Sequence, residues 1–201
     1  KAFGQIKENI SHRFGKDAFL GVTVQRMYNN PGLEMIIGSY YDPQFGPVIK
    51  FGNGGRIVEV YQDNALALPP LNTTLAHRRL EQTHIYQILL NGDDKEQFLP
   101  VVAELEQLLV QFSHLVLNHP QIKSIDLNPV AVSTKGIQVL DANIQLHEAA
   151  TSLEKITPLA IRPYPVRYES EWKMKDGQEV LIRPIKPEDE PLVIQFHKTL
   201  S

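Results

Sequence analysis

Cysteine is absent from the 201-residue chain, which excludes disulfide frameworks and thiolate metal sites. An excess of basic charge is lacking too. Twenty Lys and Arg stand against 23 Asp and Glu, for a formal net charge of −3, so no electrostatic footprint for nucleic acid exists. No apolar run approaches the roughly 20 residues that cross a bilayer, and no secretory signal opens the chain. The expected setting is therefore the cytoplasm, with neither membrane nor nucleic acid as partner. Internal repeats and low-complexity segments are also missing. Aromatic residues make up 8%, with a single tryptophan. What remains is an ordinary globular balance of 42% hydrophobic and 21% charged residues. The chain starts at Lys1 instead of Met, which reads as a piece of a longer protein.

The most informative stretch is Ile125 to Asn143. Two β-branched runs flank a polar turn at Ser133–Gly136, a hairpin signal. Folding about that turn sets Val132 against Ile137, Val130 against Val139, Asn128 against Asp141 and Asp126 against Asn143. Strict alternation puts all eight on one face, aliphatic at one end and rich in carboxylates and carboxamides at the other. Oxygen groups on a rigid strand pair suit a hard cation such as Mg²⁺, which takes few protein ligands and completes its shell with water and phosphate. The same pattern describes the polar, frayed end of an ordinary hairpin, and spacing alone leaves both readings open. Pro129 cannot donate to the ladder, so an interruption or bulge is expected there.

Elsewhere, residues 2–10 carry Phe3, Ile6 and Ile10 at helical spacing. Strands are expected at Gly21–Tyr28, Leu33–Tyr41, Val48–Phe51 and Arg56–Gln62, separated by Asn29–Gly32, Asp42–Pro43 and the glycine-rich turn Gly52–Gly55. This succession reads as an antiparallel meander. Ala65–Pro70 reads as a short extended segment. Thr73–Leu90 is expected as one helix with Asn72 as N-cap, and Lys95–Leu117 as a long helix with an apolar stripe from Phe98 to Leu115. Prolines near 158–187 mark a linker. Beyond it, Tyr168–Met174 and Glu179–Ile185 form a hairpin through Asp176-Gly177, and Pro187–Leu200 forms a helix. The fold class is α/β of the α+β kind: an antiparallel-rich sheet packed by two helices, then a small hairpin-and-helix unit. None of the seven histidines sits in a nucleophile motif.

These residues carry a resemblance. Gly21-Val-Thr-Val-Gln25, Leu33-Glu34-Met-Ile-Ile-Gly38, Asp42-Pro43-Gln-Phe-Gly46-Pro47, Phe51-Gly52-Asn-Gly54-Gly55, Ile125-Asp126-Leu-Asn128-Pro129 and Leu140-Asp141-Ala142 occur in the order found in the ATP-grasp domain of ADP-forming acyl-CoA synthetases. The resemblance spans residues 1–146, with 147–166 as linker. In turn, Val180-Leu-Ile-Arg183-Pro184-Ile-Lys-Pro187-Glu188-Asp189-Glu190 resembles the opening of a GNAT acetyltransferase, here truncated over 167–201. The pair is similar to bacterial proteins that fuse a synthetase-like region to a protein lysine acetyltransferase.

The resemblance implies residue roles. Asn128 and Asp141 match Mg²⁺ ligands at the nucleotide phosphates, with Asp126 behind them. Gln25, Arg26 and Met27 match the hinge at adenine, and equally read as a strand end. Glu34 matches a glutamate near the nucleotide, and equally reads as an exposed strand carboxylate. Gly54 and Gly55 suit backbone approach to phosphate, and equally a plain turn. The sequence departs from the family at Asn53, where an apolar residue is usual. Glu59, with Asp63, is the weak catalytic candidate. The implied cofactors are ATP or ADP and Mg²⁺, with CoA or acetyl-CoA bound by domains outside this stretch. The implied chemistry converts acyl-CoA, ADP and phosphate to acid, CoA and ATP through a phosphohistidine. The lobe with the phosphate-gripping lysines is expected before residue 1. Implied partners are the CoA-binding and ligase domains of the same parent chain and the protein substrates of the acetyltransferase. Sheet-edge pairing leaves room for a homo-oligomer. On this view the parent is an enzyme and the stretch alone is inactive. The alternative is a degenerate domain that senses nucleotide or acyl-CoA and controls the fused acetyltransferase.

Overall fold

Along Leu33–Asp42 the side chains alternate between two faces. Met35, Ile37 and Ser39 are buried, whereas Glu34 and Tyr40 are exposed and Gly38 sits between them. That period of two makes the segment the central strand, β1. It pairs antiparallel with β2 (Gly46–Asn53) on one side and β4 (Ile122–Ser133) on the other. β3 (Asn64–Ala67) pairs with β2, and β5 (Gly136–Val139) and β6 (Ala142–Leu146) pair in succession with β4. The six-stranded sheet runs β3-β2-β1-β4-β5, with β6 beside the first half of β4.

The computed structural model describes residues 1–29, 32–54, 63–91, 95–148 and 159–200, and divides into the units Lys1–Asn30 and Pro31–Ser201. In the second unit, helices α2 (Thr73–Leu80), α3 (His84–Asn91) and α4 (Lys95–Asn118) pack on one face of the sheet. Ile37, Ile49, Phe51, Leu80, Ile85, Leu105, Leu109 and Ile125 fill the core between them. The other face carries no helix of that group.

The expected single helix over 73–90 is two helices. Asn72 caps the first as expected, its side chain accepting from the Leu75 N–H at 2.8 Å. Thr83 then ends it: its hydroxyl donates to Leu80 O at 2.6 Å. The Asp63 carboxylate accepts the His84 N–H at 2.9 Å, meeting an orphan donor at the start of α3. Asp63 therefore serves as a helix-terminus group. Continuous apolar periodicity across 73–90 concealed a break made by polar caps.

The N-terminal unit holds α1 (Ala2–Phe14), a 3₁₀ turn at Lys16–Ala18, and a Phe3–Phe19 edge-to-face contact at 5.6 Å. The strand expected at Gly21–Tyr28 does not form: residues 19–29 are irregular. Val22 and Val24 supply β-propensity, yet a strand exists only through a paired neighbour, and the segment has none among the described residues. The strand expected at Arg56–Gln62 lies outside the described residues.

Within the Pro31–Ser201 unit, residues 159–200 make up a C-terminal hairpin-and-helix unit: the expected hairpin, β7 (Ser170–Lys173) with β8 (Glu179–Ile182), then a 3₁₀ turn at Pro187–Asp189 and α5 (Glu190–Thr199). No helix among the described residues is long and apolar enough to cross a membrane.

Candidate functional site

The hairpin register matches the spacing. Val130 faces Val139, Val132 faces Ile137, and Asp126 faces Asn143. The shared face does not hold. Met35 faces Val130 and Ile37 faces Leu127, so Asn128 and Pro129 together oppose Ile36. A bulge of this kind breaks the side-chain alternation of the strand that carries it. Ile125, Val130 and Val132 are buried toward the helices, while Asp126 and Asn128 are exposed on the opposite side. The aliphatic and polar ends of the hairpin thus lie on opposite faces. Pro129 offers no N–H, and the pairing passes it through Asn128 N–H to Asp141 O at 3.2 Å and Leu140 N–H to Pro129 O at 3.0 Å. β5 and β6 are consequently one return strand interrupted at Leu140–Asp141.

The bulge places the polar groups on the helix-free face. The register puts Glu34, Ile36, Gly38 and Tyr40 of β1 on that face, with Lys50 of β2 and Asn64 and Leu66 of β3. Glu34 thus shares a face with Asp126 and Asn128. Asp141 stands opposite Asn128; its Oδ1 accepts the Ala142 N–H at 2.9 Å, and its other oxygen has no hydrogen bond among the described residues. Asp126 and Asn128 have no side-chain hydrogen bond among the described residues. Among those residues no three His, Cys, Asp or Glu side chains gather into a metal-binding group. One carboxamide and one carboxylate, both exposed, do fit Mg²⁺, which keeps several waters and takes phosphate oxygens.

Gly54 has a different setting from that expected. Its N–H donates to Glu34 O at 2.6 Å, and a Cβ there would lie 2.9 Å from the backbone carbons of Glu34 and Met35. Glycine at this point permits close packing of β2's end against β1, and its amide is not open to a phosphate. Gly55 and Glu59 lie outside the described residues. Gln25, Arg26 and Met27 are all exposed within the N-terminal unit.

Lys50 was missed by sequence reasoning. The signal was present: Ile49 and Phe51 are apolar, so the residue between them must face away from the core. Among the described residues of β1, β2 and β3 it is the one Lys or Arg, and the register places it on the helix-free face.

The histidines have ordinary surroundings. His77 Nδ1 meets Glu106 at 2.7 Å and its Nε2 lies 3.3 Å from Glu81. Tyr86 stacks edge-on against His77, and burial, with Glu81 and Glu106 adding, raises its phenol above the usual value. His147 packs edge-on against Tyr41 at 5.3 Å.

Comparison with known proteins gives a consistent picture. A family model described as an ATP-grasp domain matches residues 1–146. The chain is 39% identical over 150 residues to acetate–CoA ligase (ADP-forming) I of Archaeoglobus fulgidus, covering 74% of this chain and 21% of that protein. It is 34% identical over 148 residues to acetate–CoA ligase (ADP-forming) I subunit beta of Pyrococcus furiosus, covering 73% and 62%. Among solved structures, the dinucleotide-forming acetyl-coenzyme A synthetase 1 of Ca. Korarchaeum cryptofilum, in complex with coenzyme A, Ca-AMPCP and HgCl⁺, matches with a TM-score of 0.61 at 32% identity, over 73% of this chain and 62% of that one. The same enzyme with coenzyme A and Mg-AMPPCP matches at 0.54 and 34% identity, over 60% and 55%. The chain thus spans 21% of the length of the first relative and 62% of the subunit.

Proposed function

Since the chain belongs to the ATP-grasp family, we propose that its helix-free sheet face is the nucleotide- and Mg²⁺-binding side of one lobe of an ADP-forming acyl-CoA synthetase. The observation that carries this is the bulge at Asn128–Pro129. It turns Asp126 and Asn128 out of the core and onto the face that holds Glu34. Asn128 contributes its carboxamide oxygen to the metal, and Asp141 its other carboxylate oxygen. Asp126, beside them, holds water of the metal's shell. Glu34 accepts hydrogen bonds from the nucleotide. Phosphoryl transfer requires in-line placement and neutralised charge more than covalent help. Mg²⁺, when bound, supplies that neutralisation. The relatives named as acetate–CoA ligases support acyl-CoA, ADP and phosphate as the substrates of the whole protein, with its ligase and CoA-binding parts as partners.

The test is calorimetry of ADP binding to the full-length protein, with and without Mg²⁺, in wild type and in Asn128→Ala combined with Asp141→Ala. The expected result is Mg²⁺-dependent binding that the double variant loses while its circular dichroism is unchanged. Wild-type protein that binds no nucleotide overturns the reading and leaves a degenerate regulatory domain.

The C-terminal unit is proposed as the opening of a GNAT acetyltransferase, which the order of hairpin then helix supports. Mass spectrometry of lysine acetylation, with acetyl-CoA and protein substrates, checks this. Full-length protein that transfers no acetyl group contradicts it.

A further inference from the structure

We propose that Lys50 binds the phosphate groups of the nucleotide, gripping them from the side of the sheet face away from Asn128 and Asp141. This rests on the nucleotide reading above and adds a residue to it. The register sets up one lateral row across five strands: Leu66, Lys50, Gly38, Asp126 and Asn143. Adjacent strands lie about 4.8 Å apart, so the Lys50 and Asp126 backbones are about 10 Å apart with Gly38 between. Gly38 has no side chain, and a Cβ built there would come 3.0 Å from Ile125 O and 3.7 Å from Asp126 Oδ1. The row therefore dips at Gly38. Across the strands the dip is bounded by Lys50 and Asp126. Along β1 it is bounded by Ile36 and Tyr40. Gly52, two residues beyond Lys50 on the same face, does not extend the dip, because it is buried against the Asp63 backbone. Its own Cβ would lie 1.8 Å from Asp63 O.

Charge decides what the dip accepts. Three carboxylates, Glu34, Asp126 and Asp141, lie around the polar end of the sheet face, with Lys50 across the row from Asp126. A polyanion cannot approach such a surface unless cations answer it. Mg²⁺ answers it at Asn128 and Asp141, and Lys50 answers it from the other side. Its ammonium is a compact point charge on a flexible stem, suited to phosphate. Lys50 forms no ion pair among the described residues, so its ammonium needs no release before it binds. The rival reading is a plain Lys50–Asp126 ion pair across the glycine gap.

The experiment measures affinity of the full-length protein for Mg-ADP and for adenosine, in wild type, Lys50→Met and Lys50→Arg. We expect Lys50→Met to weaken Mg-ADP at least tenfold and to leave adenosine unchanged. Lys50→Arg should recover part of the loss, and the salt dependence of Mg-ADP binding should flatten in Lys50→Met. Wild-type affinity for Mg-ADP in Lys50→Met overturns the proposal, as does an equal loss for adenosine. Asn128→Ala with Asp141→Ala separates the two failures. If that variant loses Mg²⁺-dependent binding while Lys50→Met keeps it, the nucleotide reading stands and Lys50 has no part in it. Wild-type protein that binds neither ligand removes both.

Discussion

The sheet of residues 33–146 and the unit of residues 159–200 are held together by opposite means. The sheet buries Met35, Ile37, Ile49, Phe51 and Leu109 without residual exposure. The C-terminal unit has no buried hydrophobic side chain among its described residues, and Trp172, Ile185, Leu192 and Phe196 are exposed. Its one buried residue is charged: Asp189. Arg183 grips that carboxylate with two nitrogens at 2.6 and 2.7 Å, and the Lys186 N–H adds a third bond at 2.7 Å. Lys186 Nζ reaches Glu169 at 2.9 Å and lies 4.5 Å from the Tyr164 ring centre. A hydrophobic core is insensitive to charge screening and to pH. A clasp of ion pairs is not. The contrast teaches which region can be broken by which agent.

The largest effect belongs to the sheet. Phe51→Ala removes a fully buried ring and leaves a cavity, at a cost of about 3–5 kcal/mol. Urea denaturation of the variant should show that loss in the major transition. A similar substitution of exposed Phe196 should leave the same transition unmoved, and a loss there would erase the contrast.

The next effect belongs to the clasp and is set by pH. Arg183, followed by the Lys186 amide, holds the Asp189 carboxyl down at about 2, against 3.8 ordinarily. A depressed carboxyl stabilises the fold above its unfolded value and loses that contribution as pH falls. The clasp should therefore be intact above about pH 4 and open toward pH 2. At the alkaline end the sign reverses. Glu169 raises the Lys186 ammonium above its ordinary 10.5, so its contribution persists below that value and fades as pH rises through the raised one. Trp172 is the only tryptophan in the chain and sits on β7, so its indole N–H resonance reports this unit alone. It should shift between pH 4 and 2 while the signals of Met35 and Ile37 stay in place. Simultaneous movement of both sets would show one cooperative unit.

Much of this architecture is legible in the residues, and the failures share one cause. The register of Val130 with Val139 and of Asp126 with Asn143 follows from a turn and two β-branched runs. Asn72 announces its cap, and Asp176-Gly177 its hairpin. The facing of Asn128 did not follow, because a one-residue bulge at Pro129 breaks the alternation on which such inferences depend. The break at Thr83 was hidden for a related reason: Leu80, Ile85 and Leu89 remain on the buried side of both helices, so the apolar pattern runs on through the interruption. Gly54 looked like a phosphate contact because glycine serves ligand approach and backbone packing alike. Only the hydrogen bond to Glu34 O separates them. For Gly21–Tyr28 the local propensity was real, but no pairing partner exists among the described residues. Local chemistry is written in neighbouring residues, while strand partners and long-range caps such as Asp63 at His84 N–H come from distant ones.

The smallest effect lies where the two regions meet. Glu188 accepts hydrogen bonds from Asn72 Nδ2 at 2.8 Å and Thr74 Oγ1 at 3.0 Å, and Glu190 pairs with Arg78. Its carboxylate thus sits at the N-terminus of α2, where the partial positive charge of the helix favours an anion. These groups are exposed, so each contact contributes about 1 kcal/mol or less. Glu188→Gln keeps one acceptor oxygen and removes the charge, whereas Glu188→Ala removes both. If charge at the helix terminus holds the contact, Gln and Ala should loosen it alike. If the hydrogen bonds hold it, Gln should stay close to wild type. Hydrogen exchange at residues 73–75 and 187–190 reads the difference, and a rise to 1 M salt should reproduce the charge loss without mutation. Exchange in β1 and β2 should not change in either case, because nothing in that core depends on a charge.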